Sequence, residues 1–471
     1  MVTGLIVNRL KVKPIILYLS SMKSTKLSQF DVTMIVVSLV IGMGIFRTPV
    51  NVAATSTSVG MFFLAWVIGG IVALCGALTY AEIGSRFPVT GGYYKIFSHC
   101  YHPSIAFSIN CIILVSNAAS LAGVSLIGAE YISNVFFPDA ANKNTIKLII
   151  SSVALILFYG VNLLGLKMSA RIQNILTVIK IGLILLLIGA IFTVDTSASQ
   201  SAIVPAPSGE HGIADFLKAL GACLVAVSFT YGGYQQVINF GGEIKDAPSK
   251  MPGAIFMGIG IVMLSYLAIN YAYYTVIGYE QLKESESIAA ILAAAIFGSK
   301  GFSILSILLF LSVMAYVNVS LLSNPRVMYA MSEEGVLPAV FQRKTKSTQV
   351  MITSLTVFAS LCIITLFYAK TFDEILSHTI FLDSIGMATS GATIFILRRR
   401  MTKLDDKNVY RMKLYPLMPL VFILTYTFIA ISIAITTPRA AMVSALIFAG
   451  FFILYYLMTR FSTNKKNLPD E

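Results

Sequence analysis

The residues best suited to chemistry in this chain are two interruptions of apolar sequence and one lysine. Gly42-Met43-Gly44-Ile45-Phe46 breaks an apolar run that begins near Val32, and Ser228-Phe229-Thr230-Tyr231-Gly232-Gly233 breaks another. Glycine costs about 1 kcal/mol relative to alanine inside a helix, so both clusters predict helices that stop and restart. Glycine also serves close helix packing in membranes; the paired placement is what favours a break. A half-helix that starts at membrane depth presents unpaired N–H groups and a positive dipole end, which suit a carboxylate. Carbonyls freed nearby suit an ammonium. A molecule carrying both groups a few ångströms apart is an α-amino acid. Lys180, in Leu176-Thr177-Val178-Ile179-Lys180-Ile181-Gly182, is the third candidate. A charge at the centre of a span costs about 3 kcal/mol on insertion scales and is a functional candidate by default. Two roles are open to it: a proton carrier, or an ammonium satisfied by carbonyls of the first and eighth helices.

The elements that must position these groups follow from composition. Of 471 residues, 57% are hydrophobic and 12% charged, with a mean hydropathy of +0.82. Soluble proteins carry about 25% charged residues. Apolar runs of about 20 residues, enough to cross a bilayer, recur to the end of the chain. This excludes a soluble enzyme, a disordered scaffold and a secreted disulfide module, and predicts an all-α integral membrane protein. Twelve spans are expected at about 31–56, 59–83, 104–136, 145–165, 170–194, 214–240, 252–277, 301–331, 350–369, 374–397, 414–437 and 439–460. The two broken spans stand five apart, which predicts two five-helix repeats of opposite topology, each opening with a discontinuous helix.

The net charge of +13 would suit nucleic acid, but its distribution argues for topology instead. The largest basic group, Arg398, Arg399, Arg400, Lys403, Lys407, Arg411 and Lys413, occupies one loop on the side shared by both termini. By the positive-inside rule that side, with both termini, is cytoplasmic. No nucleic-acid partner is expected. The expected organisation is a tail over 1–26, a transport core of ten helices over 27–400, two further helices over 401–460 and a tail over 461–471. Residues 1–21 hold too short an apolar stretch for a signal peptide, and Met22 is an alternative start. Cys75, Cys100, Cys111, Cys223 and Cys362 are scattered and read as small buried hydrophobes. His99, Cys100 and His102 have a spacing that could hold a metal, but no further ligand lies near in sequence, so no metal and no cofactor are expected.

The residues also carry a family resemblance. Gly42-Met43-Gly44-Ile45-Phe46 with Pro49 resembles the first-helix signature of the amino acid–polyamine–organocation transporters. Thr79-Tyr80-Ala81-Glu82-Ile83-Gly84, Pro88 and Gly91-Gly92-Tyr93 resemble that family's second helix and the loop after it. Glu243-Ile244-Lys245-Asp246-Ala247-Pro248 with Pro252 resembles the stretch closing the sixth helix. Arg326, Tyr329-Ala330-Met331 and Gly335-Val336-Leu337-Pro338 resemble the end of the eighth. The match runs in order over residues 27–460 and looks most like the L-type amino acid transporter branch and its bacterial relatives.

The resemblance implies a five-plus-five inverted repeat (the LeuT-like fold) with helices 11 and 12 added, and secondary amino acid transport by alternating access. It implies that the backbone of Gly42, Met43 and Gly44, with Ile45 beside it, holds the substrate carboxylate. Carbonyls near Phe229, Thr230, Tyr231 and Gly232 would hold the amino group, with Phe229 the gating aromatic. Relatives have a lysine at position 180 in the space that similar folds give to sodium, which implies sodium independence. Two departures stand out: Met43 replaces a usual serine, and Gln235 stands where some relatives have an acid. Animal L-type relatives use a cysteine between the third and fourth spans to join a single-span partner. Pro138 to Thr145 has none, so no covalent partner is expected, and the short termini fit a bacterial protein of the cytoplasmic membrane.

Asn117 and Ser120 on the third span and Asn318 and Ser320 on the eighth are the expected pocket lining. Asp383 is read as a helix-pairing residue and Glu130 as an acid near the outer interface. With no acid or base then facing the substrate side chain, neutral amino acids are expected. A membrane-embedded enzyme would need a nucleophile, base or metal cluster that the four histidines do not supply. A channel would want a continuous polar ring, and a primary pump a Walker sequence, which is absent. An amino acid sensor on a transporter fold differs from a transporter only in flux.

Overall fold

The computed structural model describes residues 26–193, 212–285, 288–298, 301–368, 372–401 and 409–466. Lys403 and Lys407 of the basic loop, nearly all of the 1–26 tail and residues 467–471 lie outside them. Among the described residues the protein is helical, with two isolated β-bridges, Leu27–Ile244 and Thr90–Phe240.

The first expected span is two helices. α1 (Gln29–Val40) opens on a capping box: the Ser28 hydroxyl accepts the Asp31 N–H at 3.2 Å, and the Asp31 carboxylate accepts the Ser28 N–H at 2.9 Å. It stops at Val40. The chain passes Ile41, Gly42 and Met43, makes a 3-10 turn over Gly44–Phe46, and resumes as α2 (Thr48–Thr55) with Pro49 in the first turn. There follow α3 (Val59–Arg86), α4 (Gly92–Cys100), α5 (Pro103–Phe136), α6 (Lys143–Leu163) and α7 (Leu166–Ile188). α8 (Ile213–Tyr231) ends at Gly232 and Gly233, and 3-10 helices Tyr234–Asn239 and Gly241–Glu243 lead to α9 (Ala247–Ile277).

Two short helices, α10 (Tyr279–Glu284) and α11 (Ile288–Phe297), fill the stretch before α12 (Gly301–Glu333). They were absent from the hydropathy pattern because neither is long enough to span. α13 (Ile352–Tyr368), α14 (Phe372–Arg400), α15 (Leu417–Thr436) and α16 (Pro438–Lys466) complete the chain. α16 runs past the expected end at 460.

Among the described residues ten helices are long and apolar enough to cross a membrane. The two expected spans that fall short are the first, which its glycines divide, and the ninth, where α13 has 17 residues. The helices pack as a bundle in which α9 lies against α3 and α1, α12 against α5 and α7, α14 against α15, and α16 against α5.

Candidate functional site

The two interruptions meet. Gly233 has φ +109°, and a Cβ there would lie 2.3 Å from the Leu39 carbonyl oxygen. Only glycine satisfies both the backbone angle and the approach. The Tyr266 hydroxyl on α9 lies 3.2 Å from the carbonyl oxygens of both Val40 and Thr230, in the last turns of α1 and α8, with one proton to share. Gln235 folds back so that its side-chain carbonyl accepts the Gly233 N–H at 2.9 Å. Behind the α1 break, the fully buried Lys180 ammonium on α7 donates to the Ile41 carbonyl. Three neighbours thus hold this break: α7 through Lys180, α9 through Tyr266, and the α8 break through Gly233.

A cavity of about 790 Å³ runs along both interruptions. Gly42, Met43 and Gly44 line it from the first, and Ser228, Phe229, Thr230, Gly232 and Gly233 from the second. α5 supplies one wall through Ser116, Asn117, Ser120, Val124, Ile127, Glu130, Tyr131 and Asn134. Steps of three or four residues keep such a stripe on one helix face, and from Ser116 to Asn134 it rises about 27 Å. At its upper end stand the exposed Glu130 and Arg47, where the cavity reaches the surface. Tyr316 from α12, Ile380, Asp383 and Ser384 from α14, and Tyr426 and Ile429 from α15 close the far side.

The opposite end is shut. Leu27 pairs in both directions with the segment after α8: its N–H donates to Glu243 at 2.8 Å, and its carbonyl accepts from Lys245 at 3.1 Å. Arg326 on α12 donates to the Glu243 carboxylate at 2.8 and 2.5 Å and lies over the Phe240 ring at 4.4 Å. Gly91, in the left-handed region at φ +65°, donates its N–H to Asn239 at 2.9 Å and docks α4 on the same segment. Lys95 of α4 pairs with Glu333 of α12. The fully buried Glu82 accepts from Arg86, from Arg398 and from the Met412 N–H, fastening the chain before α15 to α3.

Of the residues singled out in the sequence, Gly42, Met43, Gly44, Phe229, Thr230, Gly232 and Asn117 line the cavity. Ile45 is buried away from it, and Tyr231 packs its ring against Tyr266 and Trp66, with centroids 5.0 and 6.1 Å away. Asn318 is also elsewhere. Its side-chain carbonyl accepts from Asn162, and its amide donates to Gln173 at 2.7 Å and to the Ser169 carbonyl at 3.1 Å. The reason is azimuth: Tyr316 faces the cavity, and two residues on a helix turns about 200°. Ser320 is buried and off the wall as well. Lys180 reaches the break from behind and is not a lining residue; an Ile41 carbonyl meets it, and among the described residues no α12 carbonyl does.

The expectation of a wall without acids or bases is corrected. Glu130, Arg47 and Asp383 all line the cavity. Glu130 pairs with Lys147 at 3.1 Å. Asp383 was assigned to helix pairing because a lone acid in a span carries no mark of the side it faces. Tyr266 was missed altogether, since a mid-span tyrosine does not announce the two carbonyls it meets. The His99-Cys100-His102 group diverges: His99 stacks on Phe87 at 5.4 Å, Cys100 is buried, and His102 caps α5 by accepting the Ser104 N–H at 3.3 Å.

The amino acid permease family model matches residues 27–463. The chain is 28% identical over 433 residues to the serine/threonine exchanger SteT of Bacillus subtilis (strain 168), covering 90% of this chain and 95% of that protein. It is 26% identical over 406 residues to the human large neutral amino acids transporter small subunit 2, covering 84% of this chain and 73% of the other. To the human Asc-type amino acid transporter 1 it is 24% identical over 424 residues, covering 90% and 80%.

Proposed function

Since the chain belongs to the amino acid permease family, we propose that it is a sodium-independent secondary transporter of neutral amino acids that exchanges one for another by alternating access. The observation that carries this is the meeting of two helix breaks on one cavity wall. Irregular backbone at membrane depth is tolerated only where protein buries it or a cavity hydrates it, and here it offers main-chain groups of both polarities to one ligand. The Gly42 N–H is already donated to Val40 at 2.8 Å, which leaves the N–H groups of Met43 and Gly44 as the ones proposed for the substrate carboxylate. The carbonyls of Phe229 and Thr230 take the amino group; each already accepts one hydrogen bond, and a carbonyl oxygen can accept two. Phe229, partly exposed on the wall, closes over the bound substrate.

Neutral substrates and exchange are supported by the names of the relatives, one a serine/threonine exchanger and another a large neutral amino acids transporter. Sodium independence is supported by Lys180, whose side-chain nitrogen already occupies the Ile41 carbonyl. The remaining elements of the proposal are twelve spans in a five-plus-five inverted repeat, both termini cytoplasmic, residence in a bacterial cell membrane, and operation without a covalently joined partner. Proton symport is the second reading, and it requires Lys180 to leave Ile41 and carry the proton.

Uptake of a labelled neutral amino acid mixture into proteoliposomes in sodium-free buffer tests the proposal. Stimulation by internal unlabelled amino acids is the expected result. Stimulation by an inward proton gradient alone would replace exchange with symport, and uptake under neither condition, with amino acids still bound, would make the protein a sensor.

A further inference from the structure

Asp383 is the acid in the cavity wall that the transport cycle outlined above does not use. It lies in α14, three residues into the apolar stretch Ile380–Arg400. Among the described residues no hydrogen bond or ion pair reaches its carboxylate. Other acids of the bundle are matched: Glu82 by Arg86 and Arg398, Glu243 by Arg326, Glu130 by Lys147. The neighbouring Ser384 hydroxyl is turned away, donating to the Ile380 carbonyl at 2.8 Å. The titratable groups that surround Asp383 are phenols, those of Tyr93, Tyr234, Tyr316 and Tyr426. An uncompensated carboxylate within a span is costly, and this one faces the space a substrate fills.

We infer that Asp383 reads the substrate's side chain and selects neutral amino acids whose side chain ends in a hydrogen-bond donor: a hydroxyl or an amide. The inference rests on the transporter proposal, which holds the α-carboxylate and amino group at the two helix breaks and leaves the side chain as the part free to reach α14. Asn117 and Ser120 stand across the cavity on α5, but both already have partners, Asn324 at 2.6 Å and Tyr316 at 3.2 Å. An acceptor that a bound substrate shuts off from water and leaves facing an apolar side chain is what makes discrimination against that substrate large. The same carboxylate repels acidic side chains.

Competition against uptake of the labelled neutral mixture into proteoliposomes tests this with shape-matched pairs, threonine against valine and asparagine against leucine. In the wild-type protein the donor-bearing member of each pair should compete about tenfold better or more, and glutamate should compete poorly. Asp383→Leu should bring each pair to parity, and Asp383→Asn, whose side-chain oxygen still accepts, should keep part of each advantage. Equal competition within both pairs in the wild type overturns the inference, as does an Asp383→Leu variant that lowers all substrates alike with the ratios unchanged. If that variant does not fold, ligand-induced thermal stabilisation of the wild type by the same pairs decides. Wild-type protein that takes up no amino acid at all overturns the transporter proposal itself.

Discussion

The ammonium of Lys180 donates to the carbonyl of Ile41, the first residue past the end of α1. A helix that stops inside an apolar layer leaves carbonyls without partners, and this one is met by a cation from α7 that is itself fully buried. The hydrogen bond gives the carbonyl a partner and the lysine an acceptor for one of its three donors. The lysine is therefore a support for the shape of the break, whatever else it does.

Lys180→Met keeps the length of the side chain and removes the donor. The Ile41 carbonyl is then unpaired, at a cost of about 1–3 kcal/mol. A lower melting temperature and exchange reduced at least tenfold are expected, with uptake by the wild type equal in sodium and sodium-free buffers. Unchanged exchange in the variant would remove Lys180 from the cycle.

Two glycines should respond in opposite ways. A Cβ at Gly42 meets nothing within 4 Å and would project into open space, so Gly42→Ala should fold with wild-type stability and lose substrate affinity. Gly233→Ala puts a methyl 2.3 Å from the Leu39 oxygen at φ +109°, and should destabilise the protein by more than the 1–3 kcal/mol of a strained backbone alone. Melting curves with and without substrate separate the two; a strongly destabilised Gly42→Ala protein would contradict the geometry.

Asn117 and Asn318 look alike in the sequence and should differ in effect. Asn117→Ala alters the cavity wall and should raise KM. Asn318→Ala empties a buried site shared by α6, α7 and α12 and should lower the melting temperature at nearly constant KM, because Asn162 and Gln173 lose a partner. A KM effect from Asn318 as large as that from Asn117 would count against this assignment.

Breaking the Arg326–Glu243 pair should loosen the shut end. Removing one partner of a fully buried pair costs about 3–5 kcal/mol, and less is expected here because the Glu243 side chain is 20% exposed. In Glu243→Gln, a cysteine introduced beside Asn239 should become more accessible to a membrane-impermeant thiol reagent. Unchanged labelling would mean that the backbone pairing of Leu27 alone keeps this end closed.

The sequence reveals most where the signal is local. Glycine is disfavoured in any mid-span helix, so Gly42, Gly44, Gly232 and Gly233 marked both interruptions without reference to neighbours. A lysine in an apolar run marks itself for the same reason. What is not legible is azimuth. Asn318 and Tyr316 sit two residues apart on one helix, and only the packing of α12 against α5 and α7 decides that the tyrosine meets the cavity. The face that Asp383 presents is illegible on the same ground. The contact of Gly233 with Leu39 and the double partnership of Tyr266 join residues far apart in the chain, and no spacing encodes them.

The contacts that hold the shut end together have a kinetic consequence. In the proposed exchange cycle, reorienting the carrier means parting Arg326 from Glu243, Lys95 from Glu333, and Leu27 from the strand-like segment beside it. A loaded carrier gains compensating interactions across both helix breaks as it closes around its cargo. An empty one gains none, so its return trip faces the higher barrier and is rarely made. On that proposal the protein is a turnstile: it would turn when someone is waiting on each side, and hold a gradient by refusing to rotate empty.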